Sequence, residues 1–403
     1  MRIDNVVAGS ILDTRGRPTI ETTLTADTVS ATASVPSGKS TGEHEAVELD
    51  AEKAVENVTG EIATAIISRD FSSLDELDDF LITLDGTPNK SLLGANAILS
   101  VSIAAQRLSA MQKDVPLWQD IATRAGTTPS APRLFVNVMN GGVHAGFKLP
   151  FQEYIFVIEG KTSDALPIAQ KAFDRLGELL RKSNFRSNCG SLTSALPMGD
   201  EGGYSPTFDA LEKPFEILSE LVKEFPGTSV AIDAAASQFF NDNEYHMLGK
   251  TYSTDDLAKT YANLAINFGV KSIEDPFDEH ATNDFMRLTN AVNNKILIVG
   301  DDFTCTNPAL INEAIKNKAV NAVLIKPNQI GTVMETIQAV QLTQAAGFKV
   351  IASHRSGETD DTFIADFAYG VGAYGIKAGG LGQSERLAKY DRLLAIEREA
   401  ETV

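Results

Sequence analysis

Six ionisable residues in the C-terminal two-thirds of the chain each close or follow a short apolar run. Val230-Ala231-Ile232 leads to Asp233, Ser272-Ile273 to Glu274, and Ile296 to Gly300 to Asp301. Ala322 to Ile325 leads to Lys326, Val350 to Ser353 to His354, and Gly375-Ile376 to Lys377. Asp233, Glu274 and Asp301 are hard oxygen donors with no cysteine or histidine among them, a set that suits Mg²⁺ and not zinc. A lysine held near a divalent cation and a second lysine has its charged form disfavoured and can serve as a base. The chemistry these types describe is removal of a proton next to a carboxylate, with a metal ion holding the developing charge. Nothing in the spacing chooses between Lys326 and Lys377 as the base.

Polar, glycine-bearing segments supply a second set of groups. They are PSGKSTG at 36–42, NGGVHAGFK at 140–148 with Gln152-Glu153 close behind, GDEGG at 199–203 and SHRSG at 353–357. Arg355 with Ser356 makes a phosphate clamp, since a guanidinium binds phosphate through two parallel hydrogen bonds. The glycines suit close backbone approach or hinge motion.

These groups need elements to bring them together. Successive gaps between the six residues are 41, 27, 25, 28 and 23 positions. All but the first match one strand, one helix and two short loops, and Ser253 with Asp256 caps a helix within the longer gap. Alternating short apolar runs and helical stretches from Leu134 onward are the pattern of βα units and a parallel sheet. In a (β/α)₈ barrel the C-terminal strand ends converge on one face, where the active site sits. Ahead of this lies an α+β region. Thr19 to Leu24 and Val29 to Val35 alternate as strands, Ser73 and Glu76 have capping-box spacing, and the Ala- and Leu-rich stretch Leu92 to Met111 reads as a buried helix. The segment GTTPSAP, Gly126 to Pro132, separates the two regions. The expected organisation is an N-terminal capping domain over 1–127 and a catalytic barrel over 128–403.

Composition narrows the function. Of 403 residues, 54 are Asp or Glu and 35 are Lys or Arg, giving a net charge of −19. No basic patch is evident, which argues against nucleic acid as a partner. No apolar run reaches the length of a membrane span, and the N-terminus lacks a secretory pattern. Two cysteines, Cys189 and Cys305, exclude a disulfide framework and fit a cytoplasmic setting. Two motif matches are rejected. Gly38-Lys39-Ser40 resembles the end of a phosphate-binding loop, but Ala33 stands where its first glycine belongs. Gly370, Gly372 and Gly375 precede a strand instead of following one. His44, His246 and His280 show no ligand spacing and read as surface residues.

Nearly end to end, from LDTRGRPT to SERLAKYDRLLAIE, the chain resembles the enolase (phosphopyruvate hydratase) family. PSGKSTG, NGGVHAG, GDEGGYSP, SIEDPF, GDDFTCTNP, IKPNQIGT and SHRSGETDDTFIAD carry the resemblance, in the family's order. It implies an α/β fold, with a small N-terminal α+β cap and a C-terminal (β/α)₈ barrel whose first units are irregular. The implied reaction is the reversible dehydration of 2-phospho-D-glycerate to phosphoenolpyruvate with two Mg²⁺ ions. By position, Asp233, Glu274 and Asp301 resemble the metal ligands, and Ser40 the lid serine that helps hold the second ion. Lys326 resembles the base at C2, and Glu201, supported by Glu153, the acid that assists departure of the C3 hydroxyl. Lys377 resembles the residue facing the substrate carboxylate. His144, Arg355 and Ser356 resemble the phosphate side, with His354 and Gln152 lining the same pocket. The family implies a homodimer or higher oligomer.

The chain departs from the family pattern in places. The segment after Leu49 and the stretch Asn241 to Tyr261 are short, Gln238 replaces a common glutamate, and AGGLGQSER lacks a basic residue often found there. The shortened loops leave room for an alternative, a paralogue acting on a related phosphonate or phosphorylated hydroxy acid. A non-catalytic binding protein of this family would have lost a base, acid or ligand, and none is missing here.

Overall fold

The computed structural model describes residues 1–39, 42–146, 148–182, 196–293 and 295–402. Strands β1 (Asn5–Leu12), β2 (Pro18–Ala26) and β3 (Val29–Ser34) form an antiparallel meander. Between β2 and β3 the chain turns on two residues, with Asp27 in the left-handed region at φ 52°. The period-two pattern of β2 turns Ile20, Thr22, Leu24 and Ala26 inward. They meet the helix Ala95–Gln112, which is buried along almost its whole length. That explains why its sequence is apolar and small on all sides rather than striped. Ser73 caps the helix Leu74–Asp85 by accepting from Glu76 N at 3.0 Å. The Glu76 carboxylate reaches back to Ser72, one residue short of a reciprocal box.

A closed barrel follows a stretch without helix or strand at 126–132. Its strands in chain order are β4 (Arg133–Asn140), β5 (Glu153–Ile158), β6 (Thr228–Asp233), then β10 to β14 after a small inserted sheet of β7 (Phe240–Asn241), β8 (Glu244–Met247) and β9 (Lys250–Tyr252). The later barrel strands are β10 (Val270–Glu274), β11 (Leu297–Gly300), β12 (Ala322–Ile325), β13 (Lys349–Ser353) and β14 (Gly375–Gly379). The inserted sheet fills the longest of the five gaps, and Ser253 caps the helix behind it through Asp256 N.

The sheet is not wholly parallel as the pattern suggested. β5 pairs antiparallel with both β4 and β6. Among the described residues of 141–152 there is one 3₁₀ turn and no α-helix to carry the chain back across the barrel, and it reverses instead.

Phe135, Ile155, Val157, Ala231, Val299, Ala322, Leu324 and Ile351 pack together as a separate apolar cluster, contributed by inward positions of β4, β5, β6, β11, β12 and β13. Side chains two apart on a strand face the same side. Glu153, Asp233, Asp301, Lys326 and Ser353 therefore stand in the layer directly beyond Ile155, Ala231, Val299, Leu324 and Ile351. Apolar packing below and chemistry above follow from one periodicity.

Arg107, on the long N-terminal helix, crosses to Asp361 of the barrel with N–O distances of 2.6 and 2.7 Å. Asp361 also accepts from Ser34 N and Phe363 N. Burial opposes its ionisation, but Arg107 and these donors hold its pKa below the usual value. Asp361→Asn is expected to cost about 3 kcal/mol in urea unfolding at pH 7, since Arg107 loses its counter-charge. A folded-state pKa below the unfolded one means this stability is present above about pH 4 and is lost on acidification through the folded value. The gap between wild type and variant should close at low pH; a constant gap would count against the ion pair.

Candidate active site

The face of the barrel at the C-terminal ends of its parallel strands holds a small polar pocket. His144, Gln152, Glu153, Glu201, Asp233, Lys326, His354, Arg355, Ser356 and Lys377 line it. Glu274 and Asp301 touch it through the two lysines. Ser40 lies outside the described residues.

Lys377 is buried among acids. Its Nζ lies 2.8 Å from Glu274 Oε2, 3.1 Å from Glu153 Oε2 and 3.7 Å from Asp233 Oδ2. It occupies the middle of β14 and does not close it, so the pattern of strand-end residues includes one that reaches the site from within a strand. Burial works against its charge, but Glu153 and Glu274 raise its pKa well above the ordinary value. Lys326 follows β12 and contacts Asp301 Oδ2. Burial disfavours its charge too, yet Asp301 outweighs this and Lys326 is pushed up, not down. Asp301 is correspondingly lowered against the pull of burial. A lysine with its charged form disfavoured was expected here. That expectation needs the Asp301 charge to be shared with another cation, since Asp301 alone stabilises the ammonium.

Asp233, Glu274 and Asp301 surround these ammonium groups instead of converging on each other. Among the described residues, two other triplets bring one ligand atom each within 4.8 Å: Asp275, Asp301 and Asp302, and Glu153, Glu201 and His354. The donor chemistry nonetheless fits a hard divalent ion. Glu274 is raised well above its usual pKa by burial and then by Asp233, so the acids crowd one another in low dielectric and favour added positive charge. Asp275 organises the set. Its carboxylate accepts from Asp301 N at 2.9 Å and Asp302 N at 2.8 Å, fixing the turn that presents Asp301. On the other flank, Gln238 donates to Gln152 Oε1 at 2.5 Å and Gln152 donates to Asp233 Oδ2 at 3.0 Å. The Gln238 amide thus orients a neighbour of Asp233.

Opposite Lys326 stand Glu153 and Glu201. Glu153 opens β5, and because that strand is reversed its first residue lies beside Asp233, the last of β6. Glu201 accepts from Asn137 Nδ2 at 2.9 Å and Asn140 Nδ2 at 3.3 Å, and His144 Nε2 lies 3.5 Å from its other oxygen. Burial opposes the Glu201 charge, but His144 and a hydrogen bond from Glu153 hold its pKa well below the usual range. Glu153 is pushed far up by burial and by the Glu201 charge. The two carboxyl groups are hydrogen-bonded to each other, and their surroundings push the pair apart, Glu153 up and Glu201 down.

The phosphate-side groups are also engaged. Arg355 donates to both oxygens of Glu45, at 2.9 and 3.1 Å, and to Asn328 Oδ1 at 3.0 Å. Ser356 Oγ accepts from Arg15. Glu45, Asp275, Asn137, Asn140 and Arg386 were not singled out by sequence reasoning. Asp275 had a usable signal, an acid directly after a strand-end acid in IEDP. The others meet the site through contacts that spacing does not encode.

Comparison with known proteins identifies the family. Residues 129–402 match the family model described as "Enolase, C-terminal TIM barrel domain", and residues 3–121 match "Enolase, N-terminal domain". The chain belongs to the enolase family. Proteins named enolase from Ehrlichia ruminantium and Thermococcus kodakarensis are each 39% identical to it. The alignments cover 99% and 100% of this chain and 96% of each relative. An enolase from Ehrlichia canis is 38% identical over 98% of the chain and 96% of its own length. The chain is accordingly an enzyme of the enolase kind, a hydro-lyase. No described helix is long and apolar enough to cross a membrane.

Proposed function

We propose that this enolase catalyses the Mg²⁺-dependent, reversible dehydration of 2-phospho-D-glycerate to phosphoenolpyruvate. The observation that carries the reading is one pocket with a lysine on one wall and a hydrogen-bonded glutamate pair on the other. Dehydration needs that pairing, since a proton must leave one carbon while a hydroxyl leaves the next. Asp233, Glu274, Asp301 and Ser40 would hold Mg²⁺, two ions per site, which stabilises the second negative charge arising on the substrate carboxylate. With the Asp301 charge shared by a metal ion, the Lys326 pKa would fall, so that Lys326 would give its proton to solvent and, as the neutral amine, take the C2 proton. Lys377 faces the substrate carboxylate. Glu201, receiving a proton from Glu153, would pass it to the C3 hydroxyl, which leaves as water. Arg355, Ser356 and His144 hold the phosphate, with Gln152 and His354 beside them, and Arg355 exchanges Glu45 for that anion.

Residues 1–127 serve as the cap and 128–403 as the catalytic barrel. A dimer or higher homo-oligomer and a cytoplasmic setting complete the proposal. The test follows absorbance of the enol product from 2-phosphoglycerate. Turnover is expected with Mg²⁺, and removal of the metal by a chelator should abolish it. No Mg²⁺-dependent rise would overturn this substrate assignment.

A further inference from the structure

Arg386, in the first turn of the helix Ser384–Ala400, is fully buried. Among the described residues no carboxylate lies within 4.0 Å of its guanidinium, whereas most buried charges are paired. Its donors go elsewhere. Nη1 contacts His354 Nδ1 and donates to Arg355 O at 3.2 Å. Nη2 donates to Ser356 O at 3.0 Å and Asp200 O at 3.1 Å, and Nε donates to Gln383 Oε1 at 2.8 Å. The chain makes room for it. A Cβ on Gly379 would sit 2.1 Å from Arg386 Cδ, and Gly379 has φ +87°.

We propose that Arg386 is a positioning residue that fixes the tautomer of His354. A guanidinium can only donate, so Nδ1 of His354 must accept, and the neutral ring carries its proton on Nε2. Nδ1 is capped, so Nε2 is the nitrogen left to the pocket that His354 lines. A ring nitrogen of His354 lies within 4.8 Å of oxygens of both Glu153 and Glu201. The reversed tautomer would turn a lone pair toward the Glu201 charge; the enforced one turns an N–H to it, or to the hydroxyl that leaves. Burial and then the Arg386 charge hold His354 well below its ordinary pKa, which keeps the ring neutral. The same guanidinium ties the carbonyls of residues 355 and 356 to that of Asp200, next to Glu201. It thereby sets the spacing between the phosphate side and the acid side.

The catalytic part of this inference rests on the proposed dehydration, but the tautomer can be read without substrate. In ¹⁵N-histidine protein, long-range ¹H–¹⁵N spectra of the five histidines, with His354→Gln used for assignment, report each ring nitrogen. The wild type is expected to show His354 Nδ1 unprotonated and Nε2 protonated. A proton on Nδ1 would overturn the proposal. In Arg386→Gln the tautomer preference should be lost and kcat should fall about 10- to 100-fold with KM little changed. Arg386→Lys, which keeps a charged donor, should recover part of both. Loss of activity with the Nε2–H tautomer intact would assign Arg386 to packing alone and overturn the proposal. If 2-phosphoglycerate is not a substrate, the spectra still decide the tautomer.

Discussion

Lys326→Ala is expected to lower turnover of 2-phosphoglycerate by about 10²- to 10⁴-fold and to abolish exchange of the C2 proton with solvent. Mg²⁺ binding should remain nearly intact. The reasoning is geometric. Lys326 is the amine with a single close acidic partner, Asp301, so release of one contact frees it for proton transfer. Lys377 is surrounded by Glu153, Asp233 and Glu274 and is fixed as an ammonium. Deuterium uptake at C2 followed by NMR, beside a calorimetric Mg²⁺ titration, separates the two roles. Exchange at the wild-type rate in the variant would refute the assignment of the base.

Asp301→Asn is expected to weaken Mg²⁺ binding by roughly 100-fold or more, taking about 3 kcal/mol for a buried charge left without its partner and 1.4 kcal/mol per tenfold. The substitution keeps the shape of the side chain, and Asp275 still holds the backbone N–H of residue 301. Lost affinity therefore reports the missing charge and not a disordered turn. The loss removes the main influence raising the Lys326 pKa, so Lys326 should titrate lower than in the wild type. An unchanged Mg²⁺ titration would remove Asp301 from the proposed ligand set.

Much of this site was legible because a strand has a period of two and a barrel gathers its strand ends. Asp233, Glu274, Asp301, Lys326, His354 and Lys377 were found from apolar runs alone, and the structure brings all six to one face. Glu153 escaped that logic because it begins a strand. Only a reversed strand puts its first residue on the catalytic side, and the short connection from Asn140 to Glu153 was the available sign of reversal. Glu201 sits on a loop and His144 on a short 3₁₀ turn, neither closing a strand, so only the resemblance could locate them. Arg386 was unreadable for a different reason. Its partners lie about 30 and 186 positions away and are mostly backbone carbonyls, which have no residue identity to recognise. In the cap, both short alternating strands were visible, but β1 was not. Its outward face is largely exposed, and its pattern does not alternate cleanly.

The reversal of β5 also makes the enzyme modular in an unexpected place. His144, Gln152 and Glu153 come from one uninterrupted peptide, with the last of them anchored by strand pairing to Asp233. The opposite wall is assembled from separate βα units, Asp301 after β11, Lys326 after β12 and His354 to Ser356 after β13. Grafting the peptide 141–153 from another family member would therefore exchange half of the proton-donating apparatus in a single cassette, while the base wall would need several scattered substitutions to be retuned.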